Sequence, residues 1–392
     1  AECGLSHDEG PDVGGPVAPY IQSERRDTYG RYAELLVERG HAYYCFCEKA
    51  ESEEDSGEFD RADDPCRDLP LEEAKARVAA GEPYVIRQRI PKDGTTTFHD
   101  ASFGDITVEN KTLDDQVLLK RDGLPTYNFA NVIDDHLMGI THVVRGSEYL
   151  SSTPKYNLLY EGFGWEVPTY VHCSPVMRDA QHKMSKRNGD PSYEDLKAQG
   201  YLTPAILNYV ALLGWNPGDE REFFTMEELI RAFSVEGMSK SPAIFDVNKL
   251  TWMNAEYIRR LSPAEFTTHA LPYYEKAGVA GMDHAVLSRI LQPRTEVFTQ
   301  IPDMVDFLAQ LDETYSPELF TNKKSKTNPE VAKAVLSLVI PALSALPDWT
   351  EESIHGLLLG MAAEQGMKNG TLLWPVPVSY THLRAHETDS YL

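Results

Sequence analysis

The 392 residues read as an α/β domain followed by an all-α region, and three features predict that class. Short apolar runs, such as His142 to Val144, alternate with segments of helical period in the amino-terminal half. From Ala264 to Leu373 the pattern is almost entirely helical. Between these regions Lys183 and Lys186 flank Ser185 in a loop ending at Gly189, an arrangement of cations, hydroxyl and loop amides suited to gripping phosphate.

Each element has its own warrant. Asp27 to Arg39 carries Tyr29, Tyr32, Leu35, Leu36 and Val37 at helical spacing and stops at Gly40. Ala42 to Cys47 reads as a strand. Glu48 to about Leu113 reads as an insertion, with a helix at Leu71 to Ala80 and strands at Tyr84 to Arg89 and Thr96 to Asn110. The first fold is expected to resume at Asp115 to Lys120. Asp122-Gly123 is a turn signal, Thr126 to Phe129 a β-prone run, and Asn131 to Met138 a short helix. His142 to Val144 is then a strand that delivers Arg145 at its carboxyl end, where open α/β sheets bind ligands. A guanidinium fork there suits a carboxylate. Tyr127 and Asn131 lie four apart and could face one ligand, although such a Tyr also packs and such an Asn also caps helices. Pro204 to Leu213 and Met226 to Phe233 are helices.

Composition narrows the function. With 42% hydrophobic and 25% charged residues, the chain is expected to be globular, with two to four domains. No apolar run approaches a membrane span of about 20 residues, and no signal peptide opens it. Five cysteines without a disulfide-like framework fit a reduced compartment. The net charge of −24 argues against indiscriminate nucleic-acid binding but leaves room for local basic stripes.

His182-Lys183-Met184-Ser185-Lys186-Arg187 resembles the K-M-S-K-S signature of class I aminoacyl-tRNA synthetases, in the form found in glutamyl enzymes. The run from Asp122 to Gly146 resembles the glutamyl-tRNA synthetase family almost throughout. The resemblance implies an incomplete Rossmann-type catalytic domain (1–47 and 115–190) carrying an α+β acceptor-binding insert (48–114). A stem-contact region (191–263) and a helical anticodon-binding domain (264–377) would follow. It also implies glutamate–tRNA ligation: ATP and L-glutamate form glutamyl-adenylate, which then charges tRNA(Glu). Tyr127, Asn131 and Arg145 fall where the family holds glutamate. Glu148, with Ser147 in place of the usual acidic partner, falls at the ATP contact, and Val176 at the position whose backbone reads adenine. Lys183, Ser185 and Lys186 would hold the phosphates, the two lysines as catalytic groups. Mg2+ with the ATP, a cytoplasmic location away from membranes and a monomeric state belong to the same expectation.

Cys45-Phe46-Cys47, followed after 18 residues by Cys66-Arg67-Asp68, invites a zinc reading. Some bacterial glutamyl enzymes bind zinc here through Cys-x-Cys and Cys-x-His. Cys45, Cys47, Cys66 and Asp68 are therefore candidate Zn2+ ligands, with small buried thiols as the competing reading. Met238-Ser239-Lys240-Ser241-Pro242 also matches M-S-K-S, but it precedes a stretch resembling the stem-contact region, and its serines are expected to brace a helix junction.

The family's H-I-G-H signature has no counterpart in these residues, so part of both small-substrate pockets is expected to be absent and the chain alone to have little or no activity. Val378 to Thr388 resembles a translated sequencing adapter, and 378–392 is expected to be a non-native tail. A tRNA-modifying glutamyl paralogue or a glutaminyl enzyme would share the core, and the helical stretch from 264 counts against both. A non-catalytic tRNA-binding derivative of a synthetase stays open.

Overall fold

The structure, a computed structural model, describes residues 2–47, 64–309 and 316–381. Part of the expected insert (48–63), part of the helical region (310–315) and the expected tail from 382 onward lie outside the described residues. The chain divides into two compact units, Ala1–Lys197 with Leu202–Leu250 and Ala198–Tyr201 with Thr251–Leu392. Among the described residues no helix is long and apolar enough to cross a membrane.

In the first unit, α1 (Arg26–Glu38) buries Tyr29, Ala33, Leu36 and Val37 against β1 (Ala42–Cys45). After α2 (Leu71–Ala79), β2 (Val85–Gln88) pairs antiparallel with β1. A hairpin of β3 (Thr95–Asp100) and β4 (Gly104–Glu109) follows, its turn held where Asp100 Oδ1 accepts from the amides of Ser102 (2.9 Å) and Phe103 (2.8 Å). Next, β5 (Val117–Leu119) pairs with the other edge of β2. Then come α3 (Tyr127–Leu137), β6 (His142–Gly146), α4 (Thr153–Phe163) and β7 (Thr169–Cys173), with β6 and β7 parallel and α4 as their crossover. Gly164, at φ 66°, adopts the left-handed conformation that ends α4 and turns the chain toward β7.

The strands of the insertion join those on either side of it in sequence. Its β2 lies between β1 and β5, and β3 runs parallel to β7 in a sheet ordered β4-β3-β7-β6. One expectation changes: Thr126 to Phe129 is not a strand. Pairing stops where the Thr126 amide donates to Leu118 O (2.9 Å) and its hydroxyl to Val117 O (2.8 Å). Phe129, Ala130, Val132 and Ile133 then fall on one helical face that packs with α1 and α4. Burying such side chains gives about 1.5–3 kcal/mol each, enough to override local β propensity.

Beyond β7, β8 (Val176–Met177) pairs in parallel with β9 (Ala243–Ile244), and α5 (Tyr193–Ala198), α6 (Thr203–Gly214) and α7 (Met226–Ala232) lie between them in sequence. The M-S-K-S look-alike braces the approach to β9: the Ser239 amide donates to Gly214 O (2.9 Å) and the Ser174 hydroxyl to Ser239 O (3.1 Å). The division between units falls within α8 (Val247–Arg260).

The second unit is helical: α9 (Pro263–Lys276), α10 (His284–Leu291), α11 (Ile301–Ala309), α12 (Pro329–Ser344), α13 (Glu351–Glu364), α14 (Asn369–Leu373) and α15 (Pro375–Thr381). Ser262 and Glu265 form a reciprocal capping box that starts α9. The expected boundary at Val378 falls inside α15, because that valine packs with Phe320, Ala332 and Trp374.

Candidate active site

Arg145 stands in β6 directly opposite His172 in β7. Its Nε–H donates to His172 Nε2 and its Nη2 to Thr153 Oγ1, both at 3.3 Å. Aromatic faces surround the guanidinium, with ring centres of Tyr156, Tyr149 and Tyr170 at 4.7, 5.1 and 5.6 Å. Tyr127, at the start of α3, lays its ring 5.7 Å from that of Tyr149. Asn131, one turn further along the same helix, lies beside the Tyr156 hydroxyl. That hydroxyl donates instead to Asn128 Oδ1 at 2.6 Å. The structure thus gathers Tyr127, Asn131 and Arg145, and it does so on a helix and a strand.

The polar atoms here are under-used. The amide N and O of Asn131 and the hydroxyls of Tyr160 and Tyr170 are screened from solvent without a hydrogen-bond partner among the described residues. An unmet buried polar group costs about 1–3 kcal/mol, so several in one place mark where a polar ligand is received. Asp135 shares this region. Burial pushes its carboxyl up to about 6, against the opposing pull of Arg145.

The lysine loop folds back on β8. Arg178 N–H donates to His182 O (2.8 Å), Met184 N–H to Val176 O (3.1 Å), and Met177 bridges Lys183. Asp179 closes the turn by accepting from the amides of Gln181 and His182, each at 2.9 Å, with the Gln181 amide the main reason its carboxyl falls to about 2. Lys183 Nζ sits 3.3 Å from Glu148 Oε1, which ties the loop to the segment following β6. The positive charge of Lys186 helps hold the carboxyls of Glu194 and Asp195 below their usual range, although hydrogen bonds at the start of α5 contribute more.

Two of the expected contact residues already have partners in this loop. The Ser185 Oγ accepts from Arg187 N–H (3.3 Å), which leaves its O–H to donate, and its amide donates to Asp190 (2.8 Å). Gly189, at φ 81°, closes the turn in a conformation that side chains resist. The Val176 carbonyl accepts from Met184 N–H and keeps a second lone pair.

The metal reading is corrected in its fourth ligand. Asp68 is 78% exposed and faces Arg89 and Lys92 at 3.8 and 3.9 Å. Asp64 takes its place, and one ligand atom from each of Cys45, Cys47, Asp64 and Cys66 lies within 4.8 Å of the others. Cys47 and Cys66 sulfurs are 3.8 Å apart, the edge of a tetrahedron with bonds of about 2.3 Å, as zinc–thiolate requires. Tyr43 donates to the other Asp64 oxygen at 2.7 Å and orients it. The donor set therefore fits zinc.

Sequence reasoning missed Asp64, Asp100, Thr153 and His172. The available signal was a histidine inside the apolar run Tyr170 to Cys173, a polar group that a buried strand tolerates only with partners.

The family described as tRNA synthetases class I (E and Q), catalytic domain, matches residues 2–252, and the anticodon binding domain family matches 265–381. A glutamate–tRNA ligase of Clostridium botulinum (strain Hall) is 58% identical over 380 residues, covering 95% of this chain and 78% of that protein. A glutamate–tRNA ligase of Clostridium novyi is 54% identical over 379 residues, with the same coverage of each. Among solved structures, a glutamate tRNA ligase from Elizabethkingia meningosepticum in complex with its amino acid superimposes with a TM-score of 0.82 at 33% identity, covering 97% of this chain and 81% of that one. The glutamate-tRNA synthetase of Elizabethkingia anophelis gives 0.81 at 32%, with the same coverage.

Proposed function

Because the chain belongs to the class I tRNA synthetases of the glutamyl and glutaminyl type, we propose that it is a glutamate–tRNA ligase, and that Arg145 receives a carboxylate of the glutamate. The observation carrying this is the join between two half-sites. Arg145, beside its unmet polar neighbours, lies three residues before Glu148, which meets Lys183 of the phosphate-gripping loop. A carboxylate held at the first half-site can reach an α-phosphate held at the second.

In-line attack of a substrate carboxylate on that phosphate needs no protein nucleophile. It needs positioning and stabilisation of developing charge. Tyr127 and Asn131 orient glutamate beside Arg145. Glu148 and the Val176 backbone hold the nucleoside end, and magnesium accompanies the phosphates. Lys183 and Lys186 follow the charge as pyrophosphate leaves, with Lys186 nearest the reacting group. The adenylate then passes its glutamyl group to a terminal hydroxyl of tRNA(Glu), whose acceptor end meets the inserted segment and whose anticodon meets the helical unit. Zinc on Cys45, Cys47, Asp64 and Cys66 would supply only a structural clasp. The enzyme works as a cytoplasmic monomer.

ATP-dependent charging of tRNA(Glu) with labelled glutamate by the full-length enzyme tests this. Transfer of glutamate in preference to glutamine and aspartate is expected. Charging with glutamine alone, or tRNA binding without charging, would overturn it.

A further inference from the structure

Asp100 and His172 are wholly buried on the neighbouring strands β3 and β7, and neither has a part in the reaction described above. Their protons can be counted. Asp100 Oδ1 is taken by two turn amides, and Oδ2 accepts from the His172 main-chain amide (3.2 Å) and lies 2.6 Å from His172 Nδ1. A carboxylate only accepts, so Nδ1 carries the hydrogen. Arg145 only donates, so Nε2, at 3.3 Å from its Nε, presents a lone pair. Both demands are met by one neutral tautomer, and burial favours the neutral ring by pushing the His172 pKa down.

Thr153 repeats the logic from the other side. Its hydroxyl proton goes to Tyr149 O at 2.9 Å, so its oxygen is an acceptor for Arg145 Nη2. With Nε and Nη2 tied to fixed acceptors, the rotation of the guanidinium is set and Nη1 is left for a ligand. We infer that Asp100 is a positioning residue for amino-acid binding: by imposing one tautomer on His172 it fixes the Arg145 fork that receives the glutamate carboxylate. This rests on the proposed role of Arg145.

Replacing Asp100 by Asn separates positioning from folding. The amide oxygen can stay with the Ser102 and Phe103 amides, so the new NH2 faces His172. The imidazole must then accept at Nδ1 and carry its hydrogen on Nε2, aimed at the Nε–H of Arg145. The His172 main-chain amide also loses its acceptor, a stability cost that melting reads separately.

The test compares D100N, H172N, H172Q and R145K in the full-length enzyme by glutamate and ATP Michaelis constants. D100N should raise the glutamate constant about tenfold or more while the ATP constant stays within about twofold, since a donor facing a donor costs roughly one lost hydrogen bond. H172N keeps a donor toward Asp100 but has nothing in the place of Nε2, whereas H172Q can put an acceptor there. H172Q should therefore bind glutamate better than H172N. Equal or reversed order, an unchanged glutamate constant in D100N, a parallel loss of ATP binding, or failure of both D100N and H172N to fold would each overturn the inference. An unchanged glutamate constant in R145K would instead remove the reading of Arg145 on which it rests.

Discussion

The ammonium of Lys183 lies 3.3 Å from Oε1 of Glu148, with both side chains more than half exposed, at 57% and 54%. A pair so open to water contributes about 0–1 kcal/mol to the fold. Glu148→Gln should therefore leave stability within about 0.5 kcal/mol and yet raise the Michaelis constant for ATP, because both groups belong to the proposed ATP contact. Melting and steady-state kinetics on the full-length enzyme check this. A clear loss of stability with an unchanged ATP constant would make the pair structural.

Lys186→Ala should lower the turnover number far more than it raises the glutamate constant, since the proposed role of the lysine is on charge that develops during adenylation. Arg145→Lys should do the opposite. An ammonium cannot bond His172, Thr153 and a carboxylate together in the plane that a guanidinium offers, so the loss should appear in glutamate binding. Similar effects of both changes on both parameters would undo the division of labour.

How far the sequence reached follows from which interactions are local. Helical period and glycine stops located α1, α2 and α6 to within a residue or two, because neighbours three and four apart decide them. The Arg145 position was legible because a strand end in an open sheet exposes its last side chain. The parallel pairing of β3 with β7 was not legible, since it joins residues about seventy apart and leaves no periodic trace, and so Asp100 and His172 stayed hidden. The Cys-x-His spacing of relatives points to Asp68 as the fourth ligand. The fold decides otherwise: Asp64 turns inward to accept the Cys66 amide at 2.9 Å, while Asp68 points to Arg89 and Lys92.

Asp135 gives a pH dependence with a definite sign. Its carboxyl moves from the usual 3.8 up to about 6, first through burial, with Asp134 adding to the rise and Arg145 opposing it. The folded state thus holds this proton more tightly than the unfolded chain. The stabilisation from it is complete below pH 3.8 and is lost as pH rises through about 6. Asp135→Asn removes the titration, so the melting temperature of the variant relative to the unaltered protein should climb across that window and level off above it. A difference that stays constant with pH would show that burial does not perturb this group.

The cysteine cluster makes a prediction independent of ATP chemistry. If Cys45, Cys47, Asp64 and Cys66 hold zinc, the purified protein should carry about one zinc per chain by elemental analysis, because a preformed thiolate-rich tetrahedral site binds that metal tightly. Cys66→Ser should remove it and Asp64→Asn should weaken it, while Asp68→Asn should leave it in place. Loss of the metal should speed hydrogen exchange in 42–47 and 64–70, the strand end and loop that the clasp joins, and leave exchange around β6 and β7 unchanged. The competing state is a set of neutral thiols, and burial does push the Cys45 and Cys47 thiols up. Metal-free protein with the same exchange in Cys66→Ser would establish that state. Zinc lost in Asp68→Asn but kept in Asp64→Asn would return the fourth ligand to the position that the Cys-x-His spacing indicates.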